Sequence, residues 1–124
     1  MKKLILTIFL ILIASPVWAY TFADQWSKTD TAFEAVYAGL TIVDWGQTRD
    51  IAKHPQQYSE MNPLLGKHPS LDKVDTIIPL GIVAHGIISM ALPPKYRRYW
   101  QVIFIGIEGV AVLQNYNIGL RIDF

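Results

Sequence analysis

The chain has no cysteine among its 124 residues, so an exported protein with this sequence has no disulfide to stabilise it. It also lacks an excess of basic charge. Eleven Lys and Arg stand against ten Asp and Glu, a formal net charge of +1, which leaves no basic patch for nucleic acid. Nucleophile elbows, Walker glycines, dinucleotide fingerprints and H-E-x-x-H zinc signatures are all missing. Ser59, Ser70 and Ser89 sit in none of the contexts that activate a serine. There are no internal repeats and no low-complexity tracts. What the chain does have is apolar side chains, 52% of the total. A chain this small must then be stabilised by core burial, metal, oligomerisation or lipid.

The start of the chain reads as an export signal. Lys2 and Lys3 precede an apolar run from Leu4 to Ala14, and Val17-Trp18-Ala19 supplies small residues at the positions a signal peptidase reads. We expect residues 1–19 to be removed after Ala19. A retained anchor is the alternative, although the run is short for a span needing about 20 apolar residues. Cleavage leaves residues 20–124 as a single domain and turns the formal charge from +1 to −1.

Three helices are predicted in that domain. Thr31 and Glu34 have capping-box spacing, and Val36, Leu40, Val43 and Ile51 keep a helical period until His54-Pro55. Residues 54–70 carry three prolines and a glycine, so they predict an ordered loop, with Met61, Leu64 and Leu65 packed onto the helices. Ser70 is the expected N-cap of a second helix, with Asp72 and Asp75 near the positive end of its dipole. Its stretch from Ile77 to Leu92 is apolar almost all round, and Pro93-Pro94 stops it. Lys95–Trp100 reads as a basic, aromatic interfacial turn, and a third helix is expected from Gln101 to about Gln114. Tyr116, Ile118, Leu120, Ile122 and Phe124 alternate with polar residues, a strand period that resembles the last strand of an outer-membrane barrel. A barrel needs about eight such segments, and this is the only one, so an extended tail lying against the helices is expected.

The second helix has no polar face, and burying it on every side would take more neighbours than the chain has. Lipid is therefore the expected surroundings, although these two apolar stretches, of sixteen and about fourteen residues, are short for a span. Lys and Arg fall on both sides of the helices and do not set a topology.

Polar side chains on embedded helices are costly and seek one another. Gln101, Glu108 and Asn115 share one stripe of the third helix, Gly81, His85 and Ser89 one stripe of the second, and Thr41, Asp44 and Thr48, with Gln47, one side of the first. The implied interior cluster is Asp44, Gln47, Thr48, His85, Glu108 and Asn115. Asp44, His85 and Glu108 would suit a divalent metal, a proton relay or a plain hydrogen-bonded network. The network is the expected role, with no cofactor required. In the loop, His54, Glu60, Asn62 and His68 also have metal-ligating types, but turn construction is expected, with Glu60 capping the turn or pairing with Arg49.

Asp44-Trp-x-Gln-Thr-Arg49 followed by Glu60-x-Asn-Pro-x-Leu-Gly-x-His-Pro-Ser70 resembles a group of small hydrophobic proteins encoded by proteobacteria and their phages. An Asp-x-x-x-Thr followed by Glu-x-Asn-Pro also resembles broader families of small bacterial membrane proteins. The resemblance covers residues 37–119 and carries no activity. It implies that Asp44, Thr48, Glu60 and Asn62 act together, with the loop folded back on the end of the first helix.

The expectation is therefore an all-α, three-helix membrane domain in the bacterial inner membrane. It would act without enzymatic chemistry through a membrane-protein partner, a second copy or a membrane state, for example as a lysis accessory or in exclusion of competing phage. A membrane-embedded metal-dependent hydrolase using Asp44, His85 and Glu108 is one alternative, and a soluble periplasmic binding module another.

Overall fold

The computed structural model describes residues 22–124, so the expected signal and its cleavage site lie outside the described residues. Three helices follow one another, α1 (Lys28–Lys53), α2 (Leu71–Ala91) and α3 (Pro94–Asn117), and among the described residues there is no strand. The fold is all-α. Helix α1 is its hub, packing along both α2 and α3, which meet each other only sparsely.

Each helix begins where local chemistry favours it, though not always where the sequence pattern suggested. The capping box of α1 is Ser27 with Asp30, one turn before the expected Thr31 and Glu34. The Asp30 amide donates to Ser27 Oγ over 3.1 Å, and the Ser27 amide donates to Asp30 Oδ2 over 2.8 Å. Thr31 instead accepts from Trp26 Nε1 at 2.9 Å. His54 caps the far end of α1, as its Pro55 neighbour requires. Ser70 caps α2, accepting from the Lys73 amide.

Helices α2 and α3 are longer than their apolar stretches, at 21 and 24 residues. Pro79 lies inside α2 without ending it. The segment Lys95–Trp100 is not a turn but the first turns of α3. Pro94 is the cause: at the first helical position its missing N–H costs nothing and its fixed φ suits the helix.

The start of α1, the end of α2 and the start of α3 lie together, joined by the Ala23 amide donating to the Met90 carbonyl over 2.7 Å. The loop, the start of α2 and the C-terminal tail share the opposite end. A small apolar core sits there, made of Leu65 from the loop with Val74 and Ile78 of α2, and Trp45, Ala52 and Ile77 pack around it. Of the three apolar loop residues expected to pack onto the helices only Leu65 does so, while Met61 and Leu64 are exposed, and the loop is held by its own side chains. Glu60 Oε1 accepts from the amides of Met61 and Asn62, Asn62 Oδ1 accepts from the amide of Leu64, and Lys73 Nζ donates to the Leu65 carbonyl.

Helix α3 ends in a Schellman motif. The Leu120 amide reaches the Asn115 carbonyl and the Gly119 amide that of Tyr116, with Gly119 at φ +90°. This reversal sends the tail back along α1, without regular structure. The Arg121 amide donates to Asp50 Oδ2 over 2.8 Å, Arg49 Nε donates to the Asp123 carbonyl over 2.9 Å, and Phe124 meets Trp45 edge to face. Arg49 also pairs with Asp75 of α2, not with Glu60. Lys53 lies 2.8 Å from Asp123 and, by hydrogen bonding it, holds that carboxyl below the usual carboxylate range. This part of the clasp is complete above the ordinary carboxylate pKa and is lost as pH falls through the lowered folded value.

Gly46 is where the tail comes closest. A Cβ there would meet Ile122 Cγ2 at 2.6 Å and the Asp123 backbone nitrogen at 3.3 Å. In Gly46→Ala, helix propensity rises by up to about 1 kcal/mol, so α1 itself gains. The tail must lift, and hydrogen exchange at the Asp123 amide, which donates to the Gly46 carbonyl, is expected to accelerate while the amides of α1 stay protected. Unchanged protection at Asp123 would refute this account of the clasp.

Candidate functional site

The interior of the bundle is polar over most of its length. On α1, Asp30, Glu34, Tyr37, Thr41, Asp44 and Thr48 follow at alternating steps of four and three residues, a coiled-coil seam occupied mainly by polar groups. On α3, Arg97, Gln101, Phe104, Glu108, Ala111 and Asn115 repeat the same steps. Asp30, Thr41, Gln47, Thr48, His85, Ser89, Arg97 and Gln101 are all buried.

Glu34 is the centre of one half. His85 Nδ1 donates to Glu34 Oε2 over 3.0 Å, while Ser89 Oγ and Gln101 Nε2 donate to Oε1. A carboxylate at Nδ1 fixes the proton there. One turn earlier, Asp30 receives Arg98 at 3.2 Å and the fully buried Arg97 at 3.5 Å. Arg97 also donates to the carbonyls of Ser89, Leu92 and Asp24. Every charge in this half therefore has a partner, the condition for burying one. The His85 ring stacks on Tyr37, with centroids 3.7 Å apart, and lies against Trp100 and Phe104.

The other half, toward the loop, is open. Asn115 Nδ2 donates to Asp44 Oδ1 over 2.9 Å. Asp44, Glu60, Asn62, Glu108 and Asn115 line a cavity of ≈ 750 Å³ between α1, the loop and α3, with Leu64, Phe104 and Ile118 among its apolar walls. That volume falls in the range of small-molecule pockets. A second cavity of ≈ 230 Å³ shares Asp44, Asn62, Leu64, Phe104 and Glu108 with the first. It extends to Tyr37, His85 and Trp100 beside Gly81 and Ala84 of α2. The two cavities adjoin across these shared walls.

The expected cluster is thus realised in two parts. Asp44, Glu108 and Asn115 come together around the cavity, with Thr48 buried one turn from Asp44. Gln47 is buried but reaches away, donating to the Val112 carbonyl at 3.4 Å. His85 faces the same cavity system, yet its bonded partner is Glu34, which the sequence reading took for a cap. Among the described residues no three His, Cys, Asp or Glu side chains stand close enough to hold a metal ion, so the metal trio Asp44, His85 and Glu108 does not form. Glu60 and Asn62 do reach the cavity that Asp44 lines, whereas His54 turns back to Asp50 and His68 lies exposed.

Two interior side chains that organise the bundle are not evident from the sequence pattern, Glu34 and Arg97. The seam spacing from Asp30 to Thr48 was the signal for the first. Arg97, four residues before Gln101, had the same signal on α3.

Replacing Glu34 with Ala strands three buried donors. A loss of about 3–5 kcal/mol in unfolding free energy is expected, against less than half of that for Glu34→Gln, which keeps one acceptor oxygen. Chemical denaturation followed by circular dichroism measures both, and equal losses would refute the role given to the carboxylate.

No family model, curated protein or solved structure matches this chain.

Proposed function

We propose that the chain is a small, non-enzymatic integral protein of the bacterial inner membrane, whose three helices cross the bilayer around a polar seam. One observation carries this reading: polarity is inverted relative to a water-soluble bundle. Charged and amide side chains fill the interior, while Leu80, Val83 and Ile87 of α2 and Ile103, Ile107, Val110 and Leu113 of α3 each keep more than half of their surface exposed. Water would leave these apolar rows exposed at a cost of about 25 cal/mol per Å². Hydrocarbon solvates them and makes the interior hydrogen bonds hold the helices together.

The lengths fit. Helices of 26, 21 and 24 residues rise roughly 39, 32 and 36 Å, against a hydrocarbon core of about 30 Å. By composition alone, α2 is the one helix among the described residues that is apolar enough to cross a membrane. Helices α1 and α3 would cross because their polar groups face each other and α2. Trp26, Tyr96 and Tyr99 lie at the end shared by the starts of α1 and α3, where an interfacial aromatic belt belongs.

Such a protein acts through a partner or a membrane state. The resemblance to phage-encoded hydrophobic proteins favours lysis or exclusion of competing phage as the setting. A hydrolase is not favoured, because its metal trio does not assemble.

Alkaline carbonate extraction of cells expressing the full chain tests the reading. The protein is expected to stay in the membrane pellet. Quantitative release into the supernatant would leave the soluble periplasmic module in its place.

A further inference from the structure

The cavity system has an imbalance of charge and of hydrogen bonds. Asp44, Glu60 and Glu108 line its larger part, and among the described residues no Lys or Arg lines either part. Three residues that line the smaller part carry buried polar atoms with no partner among the described residues: the acceptors His85 Nε2 and Glu108 Oε2 and the donor Trp100 Nε1. His85 is only 2% exposed. Because its Nδ1 donates to Glu34, its Nε2 is left as a bare acceptor. Glu108 Oε2 is an acceptor as well. Buried polar atoms are seldom left unpaired, so this cleft is built for a polar occupant.

The chemistry of that occupant is constrained. Three carboxylates, one with an unpaired oxygen, and the bare imidazole nitrogen call for a cation that brings its own N–H or O–H donors. A bare metal ion needs a converging ligand shell, and none forms among the described residues. Tyr37, Trp100 and Phe104 give the smaller part an aromatic wall, which suits an organic cation. Leu64, Ile107 and Ile118 around the wider mouth suit an apolar stem.

We propose that the adjoining cavities lined by Asp44, Glu60, Glu108 and His85 form a binding site for a primary ammonium group carried on an apolar stem. The ammonium sits between Asp44 and Glu108 and donates one N–H toward His85 Nε2. The stem leaves between α3 and the loop. A free alkylamine and an aminolipid headgroup share this chemistry. The site goes beyond the membrane reading and does not depend on it, because a free amine reaches the cavity from water or lipid alike.

Isothermal titration of the full chain in phosphatidylcholine nanodiscs with n-octylammonium, empty discs subtracted, tests the proposal. Saturable binding at one site is expected. It should weaken about tenfold or more for n-octanol, which lacks the charge, and for octyltrimethylammonium, which lacks the N–H donors. Glu108→Gln and Asp44→Asn should each weaken it by a similar factor. The ligand comparison is made on the unaltered protein, so it stands even where a variant fails to fold. Discs containing phosphatidylethanolamine separate the two sources: apparent affinity for octylammonium falls when the lipid headgroup competes and is unchanged when the ligand is a free amine. Absence of saturable binding would overturn the proposal. So would equal affinity for octanol or for the quaternary ammonium, or undiminished binding in both folded variants.

Discussion

One carboxylate holds the three helices in register. Glu34 of α1 accepts from His85 and Ser89 of α2 through its two oxygens and from Gln101 of α3. Because the backbones of α2 and α3 approach each other only sparsely, each takes its register chiefly from α1. A half-buried carboxylate with buried donors tolerates few alternatives, since a helix rotated by one residue would leave those donors unpaired. Apolar seams slide at little cost; this one does not. Asp30 repeats the logic one turn away, where two arginines from α3 close on it and Arg97 goes on to cap the carbonyls at the end of α2. Register and helix termination are thereby set by the same few groups.

The opposite end is assembled differently. There the contacts are an apolar core around Leu65, Val74 and Ile78, a loop that hydrogen-bonds to itself, and the tail strapped over Gly46. Arg49 joins this end as Glu34 joins the other, linking α1 to Asp75 of α2 and to the Asp123 carbonyl of the tail. The clasp rests on charges that are partly exposed, so its strength is modest and salt-sensitive. A rigid polar half and a looser clasped half thus meet near Asp44, where the cavity opens.

Much of this was legible in the sequence, and the misreadings have physical causes. The stripe of Gln101, Glu108 and Asn115 was visible because seven residues bring a side chain back to the same face, and the pairing of Asn115 with Asp44 follows from it. Glu34 was hidden by a competing pattern: Thr31 and Glu34 satisfy capping-box spacing as well as Ser27 and Asp30 do. The ambiguity is decided by tertiary contacts, because His85 and Gln101 need Glu34 inside the bundle. Arg97 was lost with the start of α3, since a basic and aromatic run after two prolines has the composition of a turn. His85 was placed on the correct face of α2, yet its partner depended on where along α1 that face landed, and sequence periodicity carries no such offset. The tail's alternation misleads: Tyr116 and Asn117 belong to α3, and of the alternating apolar residues only Leu120 is buried, while Tyr116, Ile118, Ile122 and Phe124 stay exposed.

The two halves also differ in how they treat acidity, and this difference separates structural from functional duty. Asp30 has two guanidinium groups, and Glu34 has three hydrogen-bond donors including an imidazole. Asp44 has the amide of Asn115 and the hydroxyl of Thr48 but no cation, and Glu108 keeps a buried oxygen with no partner among the described residues. A fold under selection for stability alone replaces an unpaired interior carboxylate with an amide or an apolar side chain, because the charge costs more than any neighbour returns. A chain that answers Asp30 with two arginines has the means to satisfy its acids. Asp44 and Glu108 have no cation beside them among the described residues, and the cavities they line have room for one that arrives with a ligand.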